Sequence, residues 1–323
     1  GGAAITSYTA TATAAGQTTR TCTAASSPCT LSSLVDGVTY SVSVTATNSV
    51  GTGPASTATT VTTYPATLMS GSNLKLWLDG ADPATILASS ACTGAEATTT
   101  VGCWKDKSSS ANHATQASGT YQPVLSTVAG HPVPSFDGTD DYLSANPSLL
   151  PTGTTTGTVI LSAAVNPSVA MNGISALSYG GTTAASQRRI TSWSATGADV
   201  NGNPMAFSTA WPGSQAQGVA AAEFTSGTSV TIWAQGGAGV TTSGAFTTGT
   251  HHLWLGTGGD STPAGRWWGT TPEIIAFNGT LTTTQRRTLE EYLAHKWASV
   301  ITPAAPGSPT ATPGNTQATL SWT

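Results

Sequence analysis

The chain has 323 residues, of which 38% are hydrophobic and only 7% charged, and its formal net charge is −4. A typical soluble protein carries about 25% charged residues; here Ser, Thr, Ala and Gly take their place, which favours strands over long solvated helices. The ten Lys and Arg form no basic cluster, which argues against a nucleic-acid partner, and no apolar run is long enough for a membrane-spanning helix.

The opening Gly1-Gly2, without a Met, reads as a processed end or as part of a longer chain. Residues 1–64 read as short strands. Tyr8, Ala10, Ala12 and Ala14 alternate with polar residues, as do Tyr40, Val42, Val44 and Ala46, so each run has one inward and one outward face. Gly37 and the stretch 48–54 supply turns. Cys22 and Cys29 flank a Ser-Ser-Pro turn, and Cys92 and Cys103 flank a Gly/Thr loop. Neither pair has zinc-type spacing, so two local disulfides and an oxidising compartment are expected, with four buried thiols as the alternative.

Residues 65–300 form a longer β-rich region, with strands expected over 74–78, 158–163, 229–234, 252–255 and 272–277. One helix is expected over 283–297. Thr282 and Gln285 have capping-box spacing, and Leu289, Leu293 and Trp297 recur every fourth residue to dock on the sheet. Arg286, Arg287, Glu290 and Glu291 are expected on its outer face. Residues 301–323 begin with a Pro-rich linker, followed by strands over 310–312 and 317–323 around the turn Pro313-Gly314-Asn315.

Catalytic patterns are missing. Glu96, Glu223 and Glu273 each stand alone, so the paired carboxylates that glycoside hydrolysis needs are not evident. No Gly-x-Ser-x-Gly elbow precedes a helix, and no Gly-x-Gly-x-x-Gly follows a strand. His251 and His252 would point to opposite faces of a strand and chelate poorly. The expectation is a non-enzyme with no cofactor. One ion is worth weighing: Asp137, Asp140 and Asp141 around Gly138 have the composition of a Ca²⁺ loop, against the plainer reading of an Asx turn capping backbone amides. Asp79 and Asp82 invite the same two readings. Trp211, Trp233, Trp254, Trp267 and Trp268 raise the question of sugar stacking, against core or interface burial. Trp267 and Trp268 are the strongest pair, because neighbours in a strand cannot both face one core. Asn278-Gly279-Thr280 has the pattern of a glycosylation sequon.

Three segments resemble known families. Ile5-Thr6-Ser7-Tyr8, Leu34-x-x-Gly37-x-x-Tyr40, Val42-x-Val44-x-Ala46-x-Asn48 and Gly51-x-Gly53-Pro54 resemble the later strands, C to G, of a bacterial fibronectin type III domain, with Tyr40 in the place of its tyrosine corner. In that family the Cys22/Cys29 spacing fits a bridge between neighbouring strands. Pro306-Gly307-x-Pro309-x-Ala311-x-Pro313-Gly314 and Gln317-Ala318-Thr319-Leu320-Ser321-Trp322 resemble the missing strands A and B, with Trp322 as the core tryptophan. The middle resembles a laminin G/concanavalin-like jelly roll through Leu76-Trp77-Leu78-Asp79-x-x-Asp82, Trp104-x-Asp106-Lys107-Ser108, Pro134-Ser135-Phe136-Asp137-Gly138-x-Asp140-Asp141-Tyr142-Leu143 and the helix ending His295-Lys296-Trp297.

These resemblances imply an all-β chain: a jelly-roll sandwich at 65–300 and a fibronectin type III-like sandwich split between 1–64 and 301–323. Burial of Leu320 and Trp322 against Tyr8, Tyr40, Val42 and Val44 would complete the split sandwich. The tail is free to complete the next molecule, its own head, or the next unit of a covalent repeat. The function expected is a structural subunit or repeat of an extracellular bacterial filament, sheath or giant adhesin at the cell surface, with copies of itself as partners. The alternative is a carbohydrate- or matrix-binding module of a secreted protein, with a glycan as partner.

Overall fold

The structure, a computed structural model, describes residues 2–165, 174–180, 187–194, 197–200, 203–206, 216–225, 229–243, 249–258, 267–297, 299, 310–314 and 317–321. Trp211 and Trp322 lie outside them. The chain starts with β1 (Ile5–Thr13), β2 (Arg20–Ala24), β3 (Thr39–Asn48) and β4 (Thr59–Thr62). They form an antiparallel sheet of order β2-β1-β3-β4. The alternation read in the sequence is its register: Tyr8, Ala10 and Ala12 stand opposite Ala46, Val44 and Val42. The Tyr40 hydroxyl accepts from the amide of Val35, five residues upstream, at 3.1 Å. Both expected disulfides are present, Cys22–Cys29 and Cys92–Cys103.

After the one-turn helix α1 (Ala66–Met69) come β5 (Leu74–Asp79), β6 (Ile86–Leu87), β7 (Cys103–Trp104), β8 (Ala114–Thr115), β9 (Val124–Val128), β10 (His131–Asp137) and β11 (Leu143–Ser144). Next are β12 (Gly157–Val165), β13 (Ile174–Gly180), β14 (Gln187–Ser194), β15 (Gly197–Val200) and β16 (Asn203–Ala206). The sandwich ends with β17 (Gly218–Thr225), β18 (Ser229–Ala234), β19 (Val240–Ser243), β20 (His252–Leu255), β21 (Trp268–Asn278) and the helix α2 (Thr283–Lys296). One sheet has the order β19-β18-β17-β12-β21-β10-β9, with β5 also on β21; the other runs β16-β15-β14-β13-β20-β11-β8-β7-β6. All pairings among the described residues are antiparallel, and the chain is an all-β protein whose longest described helix is α2. The hairpin β22 (Thr310–Gly314) and β23 (Gln317–Ser321) pairs only with itself among the described residues.

The two sheets enclose a core that includes Leu76, Leu78, Trp104, Phe136, Leu161, Tyr179, Leu255, Trp267 and Ile274. A second core lies on the outer face of the β19-to-β9 sheet, where α2 docks through Leu289, Tyr292, Leu293 and Trp297 onto Ile160, Val219, Ile275 and Phe277. The helix starts where the sequence places it: Thr282 and Gln285 form a complete capping box.

The expected outer charged face of α2 is corrected. Arg286 is 7% exposed and Glu290 only 1%. The β18 region folds over that side of the helix, so Arg286 stacks on Trp233 at 4.4 Å and Arg287 donates to the Gly236 carbonyl at 2.7 Å. Glu290 is held between both arginines, and burial still pushes its carboxyl above the usual range. Glu291 remains at the rim, 3.6 Å from Arg287.

The first sheet and the sandwich meet at the C-terminal half of α2. His295 Nδ1 lies 3.1 Å from the Asp36 carbonyl, and Tyr64 packs on Trp77 with ring centroids 5.4 Å apart.

Candidate functional site

The cross-strand register brings two separate sequence candidates together. Strand β10 pairs with the start of β21 so that Asp137 is the Cα partner of Trp268 and Phe136 that of Gly269. Phe136 belongs to the inter-sheet core, which places Asp137 and Trp268 on the outer face of the sheet. Trp268 is half-buried there. Gly138, at φ 77°, turns the chain against the base of the Trp268 side chain: an added Cβ would lie 2.8 Å from Trp268 Cβ.

The acidic turn itself is tightly organised. Asp137 Oδ1 accepts from the amides of Thr139 (2.7 Å) and Asp140 (3.2 Å), and Asp141 Oδ2 accepts from the amide of Asp137 at 3.0 Å. These bonds are what the Asx-turn reading requires. Asp137, Asp140 and Asp141 also each offer an oxygen within 4.8 Å of the others, which suits a cation ligated at 2.3–2.6 Å. The donor set fits Ca²⁺, and the turn is formed by the chain's own amides. Exposure grades from Asp137, at the surface, to Asp141, which is 5% exposed.

The other half of the tryptophan pair does not join this site. Trp267 is 3% exposed and belongs to the inter-sheet core, so it offers no face to a ligand. The sequence argument that neighbouring tryptophans face opposite sides holds; Trp268 is the one turned outward. Trp254 is also resolved: Leu253 and Leu255 face the core, and Trp254 stacks on His252 at 4.0 Å with planes 18° apart. His252 Nε2 lies 3.0 Å from Ser178 Oγ, both buried. His251 is exposed just before β20 and its ring lies edge-on to that of buried His252, with centroids 5.9 Å apart, and His252 belongs to this packed row.

A second cluster was not legible in the sequence. Glu273, which stands alone there, is the Cα partner of Asp79 across β5 and β21. Glu273 is fully buried and accepts 2.8 Å bonds from Trp77 Nε1, Tyr292 Oη and Trp297 Nε1, with Lys296 Nζ also at 2.8 Å. Lys296 reaches Asp79 at 2.6 Å, and Lys107 bridges Asp79 and Asp82 at 3.0 and 3.1 Å. Burial pushes both carboxyls up. At Asp79, Lys296 and Lys107 together outweigh it and hold the group below its usual range. Glu273 shares only Lys296 and also faces the Asp79 charge, so it stays raised.

Asp79 is therefore the ion-pair partner of Lys107 and Lys296, and Asp82 that of Lys107, while Asp79 Oδ1 accepts from the Ala81 amide in the turn expected there. A cleft of about 280 Å³ reaches Asp79, Asp82, Lys107, His131 and Lys296. Glu273 is sealed behind it, and the cluster ties the helix to the sheet.

Of the proposed assembly residues, Tyr8 (37% exposed) and Val44 (38%) lie at an open end of the first sheet, while Val42 is half-buried and Tyr40 is 1% exposed. Leu320 lies in β23.

No family model and no curated protein matches the chain. Solved structures with similar stretches include a Ruminococcus gnavus sialidase carbohydrate-binding module bound to α2,3-sialyllactose, at 17% identity over 40% of this chain and 79% of that one, with a TM-score of 0.33. An arabinofuranosidase complexed with arabinofuranosyl-α-1,2-xylobiose matches at 15% identity over 66% of this chain and 55% of that one, with a TM-score of 0.45. Domain 4 of an extracellular arabinanase from Geobacillus stearothermophilus, with arabinotriose, matches at 14% identity over 54% and 83%, with a TM-score of 0.38. The chain thus spans about half of the arabinofuranosidase, and at these values none of the likenesses transfers an activity or a ligand.

Proposed function

We infer that the chain is a secreted, non-catalytic recognition module that binds a carbohydrate or matrix glycan at the Trp268–Asp137 corner. The observation that carries this reading is the half-buried Trp268 indole lying beside an ordered turn with three carboxylates. An indole face stacks against the C–H face of a sugar ring, and carboxylates accept hydrogen bonds from its hydroxyls. Asp137, Asp140 and Asp141 are the residues that would hold a Ca²⁺ ion, whose open coordination positions suit sugar hydroxyls. Two disulfides accord with an oxidising, extracellular setting.

Calorimetric titration with arabinotriose and sialyllactose, followed by a glycan array, tests the reading, each with Ca²⁺ and with EDTA. Trp268→Ala should weaken any binding found by tenfold or more, roughly the loss of 1.4 kcal/mol, without moving the unfolding midpoint. Unchanged affinity in that variant removes the site. Trp267→Ala is unsuitable as a probe because it opens a cavity in the core.

A second reading, a repeating subunit of a surface filament or adhesin, is favoured by a different observation: the open apolar face of the N-terminal sheet.

A further inference from the structure

The register of the first sheet puts Tyr8, Ala10 and Ala12 of β1, Cys22 and Ala24 of β2, and Val42, Val44 and Ala46 of β3 on one face. That face is covered at only one end. Ala12 and Tyr40 are buried, whereas Tyr8 and Val44 remain more than a third exposed. Between them runs a groove of about 560 Å³ lined by Tyr8, Ala10, Pro28, Cys29 and Val44 among others, with no charged residue in its wall. The Cys22–Cys29 disulfide holds one rim in place.

The same chain carries a segment with the matching pattern. In the β22–β23 hairpin Ala311 is paired with Leu320 and Pro313 with Ala318, while Thr310 and Thr312 are paired with Ser321 and Thr319. One row is apolar, the other is polar, and neither contains a charge that the groove would have to desolvate. Five-residue strands span about 17 Å, the length of the β1 row. A lone two-stranded hairpin is marginal in water, and this one pairs with no other strand among the described residues. Tyr8 and Val44 are exposed on the head sheet, and the hairpin pairs only with itself among the described residues, so the chain carries both an open apolar face and a segment of matching pattern.

The geometry points to the occupant: the groove takes the β22–β23 hairpin of a second copy, its apolar row of Ala311, Pro313, Ala318 and Leu320 facing Tyr8, Ala10 and Val44. The contact is head to tail, so each docked copy leaves one open groove and one unused hairpin, and the series extends without closing.

Sedimentation velocity of the full chain over a concentration series tests this. The expected result is a ladder of species growing with concentration. Val44→Asp blocks the groove and Leu320→Asp blocks the hairpin; each alone should weaken association about tenfold or more. An equimolar mixture of the two variants should stop at dimers, because it contains one good groove and one good hairpin per pair. A synthetic peptide of residues 310–321 in excess should disperse wild-type oligomers, a readout that does not depend on any variant folding. A monomeric wild type, or oligomers indifferent to both variants and to the peptide, overturns the inference. Glycan affinity should be unaffected by Val44→Asp, and assembly by Trp268→Ala, so the two proposals fail separately.

Discussion

Glu273 carries the heaviest electrostatic demand on any single residue described. It is a fully buried carboxylate whose three neutral donors and one ammonium come from β5, α2 and the residue that caps α2. Removing one partner of such a group is worse than never having it, since the remaining charge stays buried unpaired. Glu273→Ala strips the Trp77 and Trp297 indole N–H groups of their acceptor and leaves Lys296 with one carboxylate instead of two, and the expected cost is about 3–5 kcal/mol. A urea unfolding midpoint measures it; a loss below about 1 kcal/mol would place the network among dispensable surface pairs.

Gly138 is the residue on which the acidic turn depends. A side chain there meets both an unfavourable positive φ and the Trp268 Cβ. Gly138→Ala should cost about 1–2 kcal/mol from the backbone alone. It should also displace the indole, visible as a shift in tryptophan fluorescence. An unshifted spectrum would mean that the turn and Trp268 move independently.

At the scale of elements, α2 shows how local and tertiary signals divide. Its start is local chemistry: Thr282 and Gln285 satisfy each other's backbone groups, and Thr282→Ala should lower stability by about 1 kcal/mol in a thermal melt. Its apolar stripe is also local, because Leu289, Leu293 and Trp297 follow the helical period. The burial of Arg286 and Glu290 follows from elsewhere, since β18 and the turn after it pack over a side of the helix that reads as solvated. A charged residue at the right helical spacing looks the same whether water or an indole lies above it.

His131 belongs to β10 and packs edge-on against Trp297, with ring centroids 5.8 Å apart. Burial, with the Lys296 charge adding to it, lowers its pKa below the ordinary value of 6.5. The folded state therefore binds this proton less readily than the unfolded chain, and stability rises with pH through that window. On acidification the loss begins as pH falls through 6.5 and ends below the folded-state pKa. His131→Gln should shrink the drop in urea midpoint between pH 7 and pH 5; an equal drop in both proteins would assign the pH dependence to other groups.

In the whole molecule, the described residues of both sandwich cores lie between Met69 and Trp297. A chain ending after residue 300 should keep the sandwich's thermal midpoint within about 2 °C, because it retains every described core residue. It should also lose any self-association. A collapse of the melt would show that the tail supports the sandwich itself. With so few charges in the groove or the hairpin, association should also change little between low and high salt.

Much of this architecture is legible in the residues alone. Period-two alternation gives β1 and β3, the cysteine spacing gives both disulfides, and the capping box with every-fourth-residue apolar positions gives α2. Each of these signals is contained within a few neighbouring residues. The pairing of Trp268 with Asp137, the burial of the Arg286–Glu290 side of the helix, and the Trp77–Glu273 bond across 196 residues are decided only by the tertiary structure. Such contacts depend on the register between strands distant in sequence. That register is set by the summed packing of two cores, which no short stretch of residues encodes.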